Sequence, residues 1–219
     1  MPPPTPQDRI DARLGQFLAG DGAKPLFLGF GSRPAPAPRA LLDVAAQVVT
    51  ITGRRAVLVA GWSLLDDLLI DDDATGNSGG CKGSPMLPPG LLVLKDTPYD
   101  ALLPRCVLAV HHAGVGTCGA VLHAGIPSVP CPVMLDQPAN AARLVEAGVA
   151  CSPLPFAKLS ANALVKRILS VLNDKAMQER AEAVRREVLE SYGGVREAAD
   201  LILQAPNPWE TTRVPAQDS

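Results

Sequence analysis

The residues best suited to chemistry lie in one turn, His111-His112-Ala113-Gly114-Val115-Gly116-Thr117, with the pair Asp136-Gln137 nineteen residues after Thr117. An apolar run, Cys106-Val107-Leu108-Ala109-Val110, leads into the turn, and a helix-like segment, Cys118 to Ala124, leaves it. A strand that hands its C-terminal end to a helix N-terminus gathers free backbone N–H groups and a positive dipole end, which suits phosphate. Glycine lets a phosphate come close to the backbone, and Thr117 adds a hydroxyl donor. The chemistry this predicts is binding of a diphosphate-containing ligand.

Residues 1–9 are proline-rich and read as disordered or linker, and 205–219 as a polar, proline-broken tail. Between them, over 10–204, short apolar runs alternate with helical patterns. Strands are expected at Pro25–Phe30, Ala56–Ala60, Leu91–Leu94, Val107–His111, Ser128–Cys131 and Val149–Cys151. Helices are expected over 8–19, 39–52, 117–124 and 138–147, with Pro98–Leu103 as a helical turn and helix after helix over about 160–204. This order predicts one α/β domain, a Rossmann-like doubly wound parallel sheet of about six strands covered on both faces. Residues 71–90 read as a long exposed insertion loop. In such a sheet ligands bind beyond the carboxyl ends of the strands, where the strand order reverses. Gly31-Ser32, the 112–117 turn and Asp136-Gln137 each follow a strand, so three loops can converge on one ligand.

Several residues carry more than one reading. Gly114-Val115-Gly116-Thr117-Cys118-Gly119 satisfies G-x-G-x-x-G, and Asp136 lies twenty residues beyond Gly116, so an NAD(P)-binding module is the alternative. Against it, the turn follows the fourth strand rather than the first, and Pro130 and Pro132 interrupt the next one. Asp136 also suits a helix cap ahead of Pro138. Asp71-Asp72-Asp73 contains a D-x-D but reads as a solvated acidic turn. Trp62 follows a strand and either walls the crevice or packs. Histidines and cysteines show no metal-ligand spacing, so no metal is expected.

The formal net charge of −2, with 19% charged and 47% hydrophobic residues, gives no reason to expect nucleic acid as a partner. No apolar run approaches the roughly 20 residues that cross a bilayer, so no transmembrane segment is expected. Without a secretory signal a cytoplasmic location is expected, and the five cysteines read as free thiols.

The loops in their order resemble the C-terminal, donor-binding half of GT-B-fold UDP-glycosyltransferases, nearest to sterol 3-beta-glucosyltransferases and bacterial macrolide and glycopeptide glycosyltransferases. The resemblance rests on residues 25–32, Gly61-Trp62, 98–104, 111–117, Ala124-Gly125-Ile126-Pro127, Asp136-Gln137-Pro138, Asn140-Ala141 and Gly148-Val149. It implies that Ser32, His112, Gly114, Gly116 and Thr117 hold the diphosphate of a UDP-sugar. It implies that Asp136 and Gln137 hold hydroxyls of the sugar, and that uracil sits near Thr97, Pro98 and Tyr99, with Trp62 on the crevice wall. Ala113 stands where the family commonly has glycine. UDP-sugar is then a donor substrate, and no cofactor is expected.

The resemblance also implies an inverting transfer of a hexose, glucose by likeness, to a sterol, lipid or other small hydroxyl acceptor. The acceptor domain and its histidine base are expected outside this chain. His111 and His112 belong to the donor loop and His123 to the following helix, so no catalytic residue is expected here. A third reading is a non-catalytic nucleotide-sugar-binding subunit of a two-chain transferase, with the final helix, Val195–Leu203, and Trp209 meeting the partner.

Overall fold

The computed structural model describes residues 10–20, 22–31, 38–61, 87–190 and 194–205. Five short strands form one sheet: β1 (Leu26–Gly29), β2 (Ala56–Val59), β3 (Leu91–Leu94), β4 (Leu108–His111) and β5 (Ser128–Pro130). Their order is β3-β2-β1-β4-β5 and every pairing is parallel, with Leu26 opposite both Ala56 and Leu108. The chain moves outward from β1 to β3 and then returns to β4 on the other side of β1. The order therefore reverses between β1 and β4, and a crevice opens at their carboxyl ends.

The strands are short and almost continuously apolar because both faces are covered. On one face Leu26, Leu28, Leu58, Leu108 and Val110 meet Leu42, Ala45 and Val48 of α2 (Pro38–Thr52) and Leu164, Ile168 and Val171 of α6 (Ala161–Leu172). On the other, Phe27, Val57 and Ala109 meet Leu14 of α1 (Ala12–Ala19), Leu102 of α3 (Tyr99–Leu102) and Val121 of α4 (Val115–Ala124). A third cluster joins α4 to α5 (Gln137–Glu146) and α7 (Lys175–Glu190) through Cys118, Ala141, Leu144, Ala181 and Val184. Local signals fix several ends. Asp11 accepts from the Leu14 N–H at 2.7 Å to start α1, and Gly125, at φ +68°, closes α4 in the left-handed region.

The sheet has five strands, not the expected six. Ala150 makes only an isolated bridge to Ser128. The ladder stops there because the next partner along β5, Pro130, has no N–H to donate, although its carbonyl accepts from Leu154 at 2.9 Å. The helix expected over 117–124 begins two residues earlier, at Val115. Ala113 at φ +62° turns the chain and Gly114, extended at φ −66° and ψ 145°, becomes the N-cap. Gly116 thus lies inside the first helical turn rather than in the loop. The last helix, α8 (Gly194–Gln204), leaves Leu201, Ile202 and Leu203 between 64% and 82% exposed.

At the opposite end of the strands, a groove of about 620 Å³ runs beside α1 between Leu18, Lys24, Arg55 and Arg105. Two of its cations already serve the backbone. Arg55 donates to the Phe17 carbonyl with its guanidinium 5.1 Å from the Phe17 ring centre, and Lys24 Nζ donates to the Pro104 carbonyl at 3.0 Å. Among the described residues no helix is long and apolar enough to cross a membrane.

Candidate functional site

At the reversal point His112 follows directly on β4, while Gly29, Phe30 and Gly31 carry the chain out of β1. The imidazole lies where side chains of two glycines would be. A Cβ on Gly31 would stand 2.6 Å from His112 Cε1 and 2.8 Å from Nε2, and a Cβ on Gly114 would collide with Nε2. Gly31 also has φ +79°, which L side chains disfavour. Glycine at both positions is thus what lets the ring sit between the β1 and β4 loops.

Burial pushes the His112 pKa below the usual histidine range, while the Gly29 carbonyl and the Asp136 carboxylate favour the protonated ring. Its Nδ1 is buried without a hydrogen-bond partner. Burial thus favours the neutral imidazole, and an anion placed beside it would favour the charged form.

Below it, His111 is fully buried as the last residue of β4, the strand end expected for it, and so stands in the sheet rather than in the open donor loop. Its Nδ1 accepts from the Ala113 N–H at 3.2 Å, which puts the ring proton on Nε2. Burial above all, and then neighbouring His112, push its pKa down to about 3. His111 therefore builds the turn.

The N-cap Gly114 brings no side chain to the first turn of α4, and the first intrahelical bond runs from Cys118 N to the Gly114 carbonyl at 2.9 Å. The N–H groups of Val115, Gly116 and Thr117 consequently have no helical acceptor. Gly116 has open space where a Cβ would be, while Thr117 is buried.

The third loop connects β5 to α5, and Asp136 is exposed at its end. Asp136 occupies the N-cap position but makes no capping bond; its carboxylate instead accepts from Asn140 Nδ2 at 2.7 Å. The same Nδ2 donates to the Ala113 carbonyl at 3.0 Å, so Asn140 joins this loop to the β4 turn. Gln137 is buried, and its Oε1 accepts from the N–H groups of Val133 at 2.8 Å and Met134 at 3.2 Å. The acceptor end of that amide shapes the loop, leaving Nε2 as what it could offer a hydroxyl. Leu135, beside Asp136, is 80% exposed at φ +58°.

Thr97, Pro98 and Tyr99 follow β3 at the sheet edge, two strands from β1. Thr97 is buried and its N–H donates to Asp96 Oδ1 at 2.8 Å. The Tyr99 ring meets Phe27 edge-on with centres 5.1 Å apart, so it is part of the packing on that face. Burial, and after it the Asp96 charge, raise its pKa. Ser32, Trp62, Asp71-Asp72-Asp73, most of the 71–90 insertion and Trp209 lie outside the described residues. His123 stands within α4, and the described cysteines 106, 118, 131 and 151 are free thiols. Among the described residues no three His, Cys, Asp or Glu side chains gather as a metal site.

The structure thus brings His112, Gly114, Gly116 and Thr117 together with Asp136 and Gln137, and gives Gly31, His111 and Asn140 specific parts in holding them. Asn140 went unassigned although it stands four residues after Asp136, the spacing that places two side chains on one helix face.

Sequence and fold are similar to those of known proteins. A sterol 3-beta-glucosyltransferase of Arabidopsis thaliana is 30% identical over 83% of this chain and 27% of its own length. The O-mycaminosyltylonolide 6-deoxyallosyltransferase of Streptomyces fradiae is 32% identical over 95% of this chain and 43% of its own. The chain therefore spans less than half the length of these relatives. Among solved structures, the glycotransferase of kitacinnamycin superimposes with a TM-score of 0.66 at 27% identity, over 84% of this chain and 44% of that one. The glycosyltransferase SnogD from Streptomyces nogalater shares the fold, with a TM-score of 0.61 at 24% identity over 86% and 46%. The fold is that of the C-terminal, donor-binding half of a GT-B glycosyltransferase. Residues 73–199 match the C-terminal domain of erythromycin biosynthesis protein CIII-like proteins, and the chain belongs to that family.

Proposed function

We propose that this chain binds the diphosphate of a UDP-hexose in the crevice between β1 and β4, as the donor half of an inverting glycosyltransferase. The observation that carries the reading is the placement of the His112 imidazole between Gly31 and Gly114, beside the uncapped first turn of α4. In this reading His112 and the N–H groups of Gly116 and Thr117 take the diphosphate, Ser32 faces it from the β1 loop, and Asp136 and Gln137 orient the sugar. Uracil lies toward Thr97–Tyr99, with Trp62 on the crevice wall. The fit of the sugar end is supported by an exposed carboxylate fixed 2.7 Å from Asn140, on a loop tied to the phosphate turn.

Glucose is the favoured sugar, and a sterol, lipid or other small hydroxyl compound the acceptor class, on the strength of the relatives' names. Transfer would be direct displacement at the anomeric carbon, with the acceptor hydroxyl deprotonated by a base outside this chain. The nucleoside diphosphate would leave against His112 and the α4 terminus. The exposed Leu201, Ile202 and Leu203 fit a helix that meets an acceptor-binding partner.

The dinucleotide alternative fares worse on one observation. Its third glycine is required for close packing of helix on strand, yet a Cβ at Gly119 would meet nothing within 4 Å. Titration calorimetry with UDP, UDP-glucose and NADH tests the proposal. UDP and UDP-glucose should bind and NADH should not; NADH binding without UDP binding would overturn it.

A further inference from the structure

We propose that Asn140 is a positioning residue that couples sugar recognition to the diphosphate turn; this rests on the donor-site reading above. Its single Nδ2 group donates to the Asp136 carboxylate at 2.7 Å and to the Ala113 carbonyl at 3.0 Å. The first acceptor is exposed and would otherwise be free to rotate. The second belongs to a fully buried alanine held at φ +62°, a conformation that persists only where its surroundings over-determine it. On the other side of the same residue, His111 Nδ1 takes the Ala113 N–H at 3.2 Å. The strained peptide is thus clamped at both ends, and one of the clamps also holds the carboxylate assigned to the sugar.

A carboxylate needs its lone pairs aimed before it can accept from two neighbouring hydroxyls, and a donor four residues on along α5 supplies that aim. Asn140 needs no contact with the ligand for this. The amide oxygen could not do the same work, since both partners are acceptors; the site requires a donor pair on a short side chain, which aspartate and leucine at this position lack.

The test is calorimetric binding of UDP and of UDP-glucose to the full chain, wild type and variants, with thermal melts alongside. Because His111 still holds the Ala113 N–H, Asn140→Ala should weaken UDP-glucose at least fivefold while weakening UDP less than twofold. Added to Asp136→Ala, it should weaken UDP-glucose by less than a further twofold, because the positioned group is already gone. Asn140→Asp keeps the size and removes the donors; it should show the same split, and it decides the matter if the alanine variant does not fold. A wild-type chain that binds no UDP overturns the donor-site reading itself. A chain that binds UDP, but whose Asn140 variants weaken both ligands equally or neither, leaves that reading standing and overturns this one, whatever the change in melting temperature.

Discussion

The His112 ring stands where Gly31 would carry a side chain, with Cε1 2.6 Å from that Cβ position. The two residues come from neighbouring strands on either side of the reversal point, so the loop after β1 has been kept bare for the first residue after β4. Gly31→Ala should therefore act through His112. Overpacking together with an alanine at φ +79° should cost about 2–3 kcal/mol of stability. In a His112→Ala background the clash is gone and only the backbone strain remains, about 1–2 kcal/mol. Thermal melts of both singles and the double variant give the coupling directly. Strict additivity would show that the ring does not fill this space.

Function should follow the same pairing. If His112 supplies a charge-assisted bond to the diphosphate, His112→Ala and Gly31→Ala should weaken UDP by similar factors and the double variant by little more. In a reconstituted transfer assay His112→Ala should lower turnover more than donor affinity, since a donor to a developing oxyanion contributes about 2.7–4 kcal/mol. Equal turnover for variant and wild type would remove His112 from the leaving-group site.

Leu135 is a leucine in a conformation suited to glycine, at φ +58°, and burial does not explain it, since it is 80% exposed. Leu135→Gly relieves about 1–2 kcal/mol of backbone strain and returns about 0.4–1 kcal/mol through the more flexible unfolded chain. The variant should be more stable by about 0.5–1 kcal/mol, a rise of a few degrees in Tm. An unchanged or lower Tm would mean that the leucine makes contacts worth as much as the strain. Ala113→Gly, with the same φ sign but a fully buried methyl group, should gain far less, because the lost burial offsets the relief.

The fold was legible because its signals are local and repeated. The short apolar runs at Leu26, Ala56, Leu91 and Leu108 have both faces covered, whereas the first helix, expected from residue 8, starts only at Ala12 because Asp11 caps it. The convergence of three loops followed from the rule for parallel sheets. The sixth strand was misread because Val149-Ala150-Cys151 has strand composition, while its failure depends on a missing N–H in another strand, at Pro130. The start of α4 was misread because two glycines suggest a turn, whereas Ala113 does the turning and Gly116 is helical. The roles of His111 and Asn140 were not legible for a related reason. Each acts on Ala113, one from within its own strand and the other from 27 residues away, and neither bond has a signature in composition or periodicity.

The described thiols should be nearly inert in the folded chain. Burial pushes Cys106 and Cys131 up to about 12 and Cys118 up to about 11, and it raises Cys151 as well. The thiolate is the reactive form, so at pH 8 modification of Cys118 should be about a hundredfold slower than in the unfolded chain, and that of Cys106 and Cys131 slower still. Cys151, the least buried, should react first. A Cys81→Ser variant treated with a disulfide reagent, with and without urea, checks the order. Rapid native reaction of all four would contradict the packing around them.

The buried His111 sets a pH dependence whose sign is fixed. Its pKa is near 3 in the folded chain and near the ordinary 6.5 when unfolded, so between those values the unfolded state binds a proton that the folded state refuses. The contribution is present in full above pH 6.5 and is lost as the pH falls toward 3. Between pH 7.5 and 5 this one group should remove about 2 kcal/mol, and His112, also depressed by burial, adds to the loss in the same direction. His111→Asn keeps an acceptor that can reach the Ala113 N–H while removing the titration. Urea unfolding at pH 7.5 and 5 should therefore show a smaller acid loss in His111→Asn than in the wild type, by most of that amount. Parallel losses in the two proteins would mean that the ring at 111 is solvated, and the clamp on the Ala113 turn would then have to come from Asn140 alone.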